Sequence, residues 1–189
     1  ETYQRILKEA VMELKNEEFA DTLTASDGTS GEEEFVADCA VESDMELLLP
    51  PDYVPQEGER ISLYKELDGI ERELDLQRFR MHLEDRFGKI PKVTAELLRV
   101  PRLRYLARRL GIEKIVLKQE QMYMYFVDDN NKAYYQSPMF GRILNYLQAH
   151  PRRCRIREKN GRRSLAIADV PTVEEAVALL QEILSLNSI

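Results

Sequence analysis

An α+β fold is the class this sequence predicts, and three observations carry it. The hydrophobic period changes from helical to extended after Gly111, an Asn160-Gly161 pair sits between two extended runs, and helix start and stop signals bracket apolar stripes on both sides of that change. Four stretches are expected: an amphipathic N-terminal helix over 1–15, a flexible acidic linker over 16–34, a central segment of a strand plus helices over 35–111, and a C-terminal β-β-α-β-β-α module over 112–189. The module is expected to form a small mixed sheet with packed helices, the whole being a single domain.

In the opening stretch Tyr3, Ile6, Leu7, Ala10, Val11 and Leu14 recur at helical spacing with Lys and Glu between them. Residues 16–34 are small, polar and acidic, with too little apolar surface to offset the entropy of ordering. Phe35 to Leu49 reads as one strand or two short ones, stopped by Pro50-Pro51. Ile61, Leu63, Tyr64 and Leu67 predict a helix after Pro55. Leu74, Phe79, Leu83 and Phe87 predict a second, ended by Gly88 and the Ile90-Pro91 pair. A third begins near Pro91 and carries Leu97, Leu98, Leu103, Leu106, Ala107 and Leu110. Pro101 inside that pattern removes a helical donor, so two pieces are expected.

Beyond Gly111, Ile115-Val116-Leu117 and Met122 to Val127 read as strands, with Asp128 to Asn131 as a turn. Ser137-Pro138 is an N-cap and first helical residue for a helix through Ile143, Leu144 and Leu147. Cys154 to Arg157 and Ser164 to Ile167 flank the Asn-Gly hairpin signal. Thr172 and Glu175 make a capping-box pattern ahead of the stripe Val177, Leu180, Ile183 and Leu184.

Composition narrows the function. The 189 residues are 43% apolar and 32% charged, an ordinary globular balance. No apolar run reaches the roughly 20 residues of a membrane span and no signal peptide is visible, so a cytoplasmic protein without a membrane partner is expected. The chain opens at Glu1 inside a helical pattern, as a piece of a larger protein would. Cys39 and Cys154 lie far apart and predict neither a disulfide framework nor a zinc site. His82 and His150 stand alone. No Gly-rich phosphate loop, Gly-x-Ser-x-Gly elbow or His-Glu-x-x-His is present, and the carboxylate pairs Glu84-Asp85 and Asp128-Asp129 are adjacent, so they do not face each other. A domain without its own active site, metal or cofactor is the expectation.

The net charge of −7 is uneven: Glu1 to Asp85 carries 24 acidic against 8 basic side chains, and the remainder carries 10 against 19. Such asymmetry fits a basic nucleic-acid face or complementary surfaces that meet another domain. Arg99, Arg102, Arg104, Arg108 and Arg109 surround Tyr105, and Arg152, Arg153, Arg155, Arg157, Arg162 and Arg163 crowd the hairpin. As a candidate basic surface, Arg99, Arg102, Arg108, Arg109, Arg153 and Arg155 could grip phosphates, making a nucleic-acid-binding module the alternative reading. Arginine stems equally cover helix surface and pair with local acids.

Four segments, in order, resemble signatures of the C-terminal domain of the bacterial transcription-repair coupling factor family: Leu48-Leu49-Pro50-Pro51-Asp52-Tyr53-Val54-Pro55, Arg60-Ile61-Ser62-Leu63-Tyr64-Lys65, Leu83-Glu84-Asp85-Arg86-Phe87-Gly88-Lys89-Ile90-Pro91 and Ala107-Arg108-Arg109-Leu110-Gly111-Ile112. Tyr3 to Val11 is similar to the helix that follows the family's motor. The acidic stretch before Glu34 and the stretch from Gln119 to Arg163 depart from the pattern. The resemblance implies a parent DNA translocase of transcription-coupled nucleotide excision repair, which recognises RNA polymerase stalled at DNA damage and pushes it off with ATP. It further implies that this domain is an autoinhibitory clamp. The clamp would pack against an N-terminal module similar to UvrB, restrain the motor and hide the surface that binds UvrA, with its contact on the helix carrying His82, Asp85 and Arg86. Asp85 and Arg86 have a local alternative, as capping or pairing residues at a helix corner.

Overall fold

The computed structural model describes residues 35–186; the helix expected over 1–15 and the linker over 16–34 lie outside the described residues. Strand β1 (Ala40–Ser43) precedes four helices, α1 (Glu57–Asp68), α2 (Glu73–Phe87), α3 (Lys92–Leu97) and α4 (Val100–Arg109). Then follow β2 (Ile112–Lys118), β3 (Gln121–Phe126), α5 (Lys132–Tyr135), α6 (Pro138–Ala149), β4 (Cys154–Lys159), β5 (Arg162–Ile167) and α7 (Val173–Ser185). The strands form one five-stranded sheet in the order β1-β2-β3-β5-β4. β1 runs parallel to β2 and the other pairs are antiparallel, so the sheet is mixed, as expected.

Alternation along the strands divides the sheet into two faces. Ile115 and Leu117 of β2, Met122, Met124 and Phe126 of β3, and Leu165 and Ile167 of β5 form the buried face. They join Leu103, Leu106, Ala107 and Leu110 of α4, Ile143 and Tyr146 of α6, and Val173, Ala176, Val177, Leu180 and Ile183 of α7 in one core. Val36 and Cys39 enter the same core ahead of β1. The central segment and the C-terminal module therefore share a core, through β1 and α4.

The expected break at Pro101 is present: α3 ends at Leu97, and Pro101 lies in the first turn of α4, where its missing N–H costs nothing. Both expected caps form. Ser137 Oγ accepts from Phe140 N at 3.4 Å and Thr172 Oγ1 accepts from Glu175 N at 3.1 Å. The Asn160-Gly161 hairpin closes with φ of 55° and 73°, the positive values its tight turn requires. Gln119 and Glu120 take φ of 51° and 60° in the first hairpin, a turn their side chains do not announce. The short helix α5, capped by Asn131 Oδ1 accepting from Tyr134 N at 3.2 Å, follows the expected turn and is a further addition.

A second, smaller core joins Leu49, Val54, Leu63, Leu67, Phe79, Leu83 and Leu98. Its scaffold is the Leu48 to Pro55 strap. Tyr53 N and Val54 N both donate to Pro50 O, closing a turn, and Leu49 N donates to Tyr64 Oη at 2.6 Å. The buried Thr94 hydroxyl donates to Leu48 O at 2.9 Å, and Arg60 Nη1 donates to Val54 O at 2.8 Å and Pro55 O at 3.0 Å. Two of the four sequence signatures, the strap and the segment that carries Arg60 and Tyr64, thus clasp one another. Ile61 and Leu74, expected on apolar stripes, are exposed instead. Leu63 and Leu67 define the buried side of α1 and Leu76, Phe79 and Leu83 that of α2, and Ile61 and Leu74 lie off those stripes by helical phase.

A candidate interdomain contact surface on helix α2

Helix α2 packs by a narrow stripe. Phe79 and Leu83 are buried, Leu76 and Phe87 are half-buried against the small core, and the remaining residues of the helix are exposed. Leu74, Arg78, Met81, His82 and Asp85 fall on the opposite side at spacings of three, four and seven. Leu74 is 57% and Met81 64% exposed, high values for large apolar side chains. Among the described residues, His82 and Asp85 have no hydrogen-bond or ion-pair partner. Arg86 differs from its neighbours. Its guanidinium pairs with Glu59 of α1 and lies 5.1 Å from the Phe87 ring centroid, so it ties α1 to α2 on the flank of the exposed stripe. The three sequence-predicted contact residues therefore divide into two that face outward and one that is internally engaged.

The corner after α2 is rigid for a backbone reason. Gly88 takes φ of 87°, a region closed to most L-residues, while its N–H donates to Glu84 O at 3.0 Å and its carbonyl accepts from Tyr53 Oη at 2.8 Å. Pro91 then caps α3. The direction of α2 is set by this corner and by the strap.

The arginines of α4 are largely occupied. Arg102 makes a bidentate pair with Glu73 at 2.9 and 3.2 Å, and Arg104 reaches Asp68 at 3.5 Å, both linking α4 to the helical lobe. Arg99 pairs with Glu96 and Glu174, joining α3 to α7. Arg108 and Arg109 each hold their guanidinium carbon 6.0 Å from the Tyr105 ring centroid. A groove of about 450 Å³ lies beneath these pairs, lined by Ile70, Leu76, Pro101, Arg102, Tyr105 and Gln181. Arg153 is structural: it donates to Ala168 O at 2.7 Å, Asp169 O at 2.9 Å and Tyr146 Oη at 3.2 Å, fastening the end of β5. Arg155, on edge strand β4, is exposed, and its side chain has no partner among the described residues. Of the candidate basic surface, Arg99 and Arg102 thus pin helices together, Arg108 and Arg109 lie beside Tyr105 of their own helix, Arg153 fastens the end of β5, and Arg155 keeps an exposed guanidinium.

Both cysteines are free and buried; burial, with Asp38 nearby, pushes the Cys39 thiol up to about 12, which leaves it a poor nucleophile. Among the described residues no cluster of His, Cys, Asp and Glu could hold a metal ion, and no helix is long and apolar enough to cross a membrane.

Leu74 and Met81 belong to this surface although sequence reasoning did not place them there. A helical phase taken from Phe79 and Leu83 alone puts both outside.

Comparison with known proteins bears on the whole arrangement. A family model described as the TRCF domain matches residues 43–137, which include the strap, α1 to α4 and the first hairpin. The transcription-repair-coupling factor of Escherichia coli is 31% identical over 154 residues, 82% of this chain and 12% of that protein. The Rickettsia typhi protein of the same name is 22% identical over 160 residues, 85% of this chain and 13% of its own length. The chain thus spans about an eighth of these relatives. A crystal structure of the C-terminal domain of a transcription-repair coupling factor superposes with a TM-score of 0.62 at 19% identity, covering 78% of this chain and 92% of that one.

Proposed function

The chain belongs to the transcription-repair coupling factor family, carrying its TRCF domain, and from that premise we propose that it is the autoinhibitory clamp of an ATP-driven DNA translocase. In this reading it packs against a UvrB-like module of the parent protein and masks the surface that UvrA binds in transcription-coupled nucleotide excision repair. The exposed stripe of α2 is the observation that supports it most. Two apolar side chains, Leu74 and Met81, flank two polar ones, His82 and Asp85, that have no partner within the described residues. A surface of that mixed kind suits a contact between linked domains, which typically buries roughly 600–1,500 Å² and is more polar than a permanent interface.

The physics of a tethered mask favours such a modest contact. Linked partners meet at an effective concentration of about a millimolar, so a contact too weak to persist between separate molecules stays closed in one chain and still opens when a competitor arrives. The apparent UvrA affinity is then the intrinsic affinity multiplied by the fraction of molecules that are open. Asp85 supplies the charge available to the UvrB-like module, and Arg86, held by Glu59, sets the angle at which α2 presents it.

The test is UvrA binding by the parent protein with and without this domain, with the thermal melt of the motor recorded for both. Tighter binding after deletion is the expected result. Equal binding by two equally folded proteins would exclude masking.

A further inference from the structure

Among the described residues the three helices that pack on the sheet, α4, α6 and α7, lie on one side of it, and no described helix covers the other face, which presents a chemistry that masking does not use. Strand register places its residues in rows. Val116, Tyr123, Ala166 and Arg155 form one row across β2, β3, β5 and β4, and Lys114, Tyr125, Ser164 and Arg157 form the next. Tyr123 and Tyr125 are half-buried at the centre, two residues apart and therefore about 7 Å from each other along the strand. Beside them on β5 lie two small residues, Ser164, half-buried, and Ala166, buried at 7%, which separate the rings from β4 by the width of one strand, roughly 4.8 Å. On β4 stand Arg155, Arg157 and Lys159, exposed alternate residues of an edge strand with no side-chain partner among the described residues. Acids on this side are already matched: Glu42 pairs with Lys114 at 3.1 Å and Glu113 with Arg162 at 3.3 Å. Lys114 also lies 6.0 Å from the Tyr125 ring centroid.

We propose that this open sheet face binds single-stranded nucleic acid, with bases stacked on Tyr123 and Tyr125 and the phosphate backbone running along Arg155, Arg157 and Lys159. Aromatic rings on an uncovered sheet give successive bases a platform, and a parallel row of cations neutralises the phosphates. A duplex fits this face poorly, because its bases are stacked on one another and only its backbone could reach the β4 cations. Charged edge residues also deter strand addition; the stacking rings are what distinguish a binding face from a protected edge. This surface is built from elements other than α2 and is independent of the masking reading.

The test is fluorescence anisotropy with the 189-residue chain and three labelled probes of equal length: oligothymidylate, oligouridylate and a DNA duplex. Single strands are expected to bind at least about 10-fold more tightly than the duplex. Arg155→Ala/Arg157→Ala should weaken single-strand binding about 10-fold and flatten the dependence of log K on log salt by about 1.4, roughly 0.7 for each phosphate no longer neutralised. Tyr125→Leu, which keeps the position apolar, should weaken it by about 10-fold with the salt slope unchanged. Tighter binding of oligouridylate would assign the face to RNA, and of oligothymidylate to DNA. Absence of single-strand binding at low salt, equal affinity for the duplex, or a folded Tyr125→Leu protein that binds like the parent sequence would overturn the proposal.

Discussion

Helix α7 of the sheet lobe and helix α2 of the helical lobe show how differently one chain covers its elements. α7 buries Val173, Ala176, Val177, Leu179, Leu180 and Ile183 in 13 residues, whereas α2 buries only Phe79 and Leu83 in 15. Each fully buried aliphatic or aromatic side chain contributes about 1.5–3 kcal/mol, so α7 is anchored several-fold more strongly. The lesson concerns use as well as stability. A helix held by two side chains leaves most of its surface to a partner, and elements that dock and release are drawn from the less stable part of a fold. Between the two lobes run the ion pairs Arg102–Glu73 and Arg104–Asp68 and the bridge of Arg99 from Glu96 to Glu174, solvent-accessible pairs worth about 0–1 kcal/mol each, so the helical lobe is free to loosen without unfolding the sheet.

The largest effect that would sharpen this contrast is at Gly111. Its φ is 76°, and a Cβ there would lie 2.1 Å from Tyr134 Cε2, in the wall of the sheet core where the Tyr134 hydroxyl donates to Leu110 O at 2.6 Å. Gly111→Ala should therefore cost about 3–5 kcal/mol, combining left-handed strain with overpacking, and denaturant unfolding should show the whole domain destabilised. Leu83→Ala should cost about 2–4 kcal/mol but confine its damage. Hydrogen exchange should accelerate in α1 and α2 and stay slow in β2, β3 and β5. Uniform acceleration would break the two-lobe picture.

Alkali probes the same contrast from the other side. Among the described residues, burial raises Cys39, Tyr134, Tyr135, Tyr146 and Cys154 in the sheet lobe and Tyr53 alone in the helical lobe. Cys39 and Tyr135 each reach about 12, from ordinary values of 9.0 and 10.0. Groups whose folded pKa is raised hold their proton more tightly when folded. Their contribution is intact below about pH 9 and is lost as pH climbs toward 12. The melting temperature should hold up to about pH 9 and fall above it, with the sheet signal in circular dichroism failing first.

Much of this fold is legible in the residues, for local reasons. Pro101 divides a helix because it lacks a donor, Asn160-Gly161 turns because both positions accept positive φ, and Thr172 with Glu175 begins α7 by a side-chain bond. What escapes is settled at long range. The four residues of β1 say nothing of their parallel pairing with Lys114 to Leu117, and Gln119-Glu120 adopts a glycine-like turn only because the strands on either side impose it. At the candidate contact, helical phase alone places His82 and Asp85 outside. The capture of Arg86 by Glu59 depends on how α1 and α2 cross, and no spacing reveals it. The arginine clusters show the same limit: spacing on the chain does not reveal that Arg99 reaches Glu96 and Glu174, Arg102 reaches Glu73 and Arg153 reaches Ala168 and Asp169.

Closure of α2 over a UvrB-like module through Asp85 is tested most directly by Asp85→Arg in the full-length parent protein, with UvrA affinity measured at equilibrium beside the parent sequence. Asp85 is exposed and unpartnered among the described residues, so the change should leave stability within about 0.5 kcal/mol. UvrA should then bind about 10-fold more tightly, because weakening the closed state by about 1.4 kcal/mol opens the mask. Unchanged UvrA affinity in a folded Asp85→Arg protein would contradict closure through this residue.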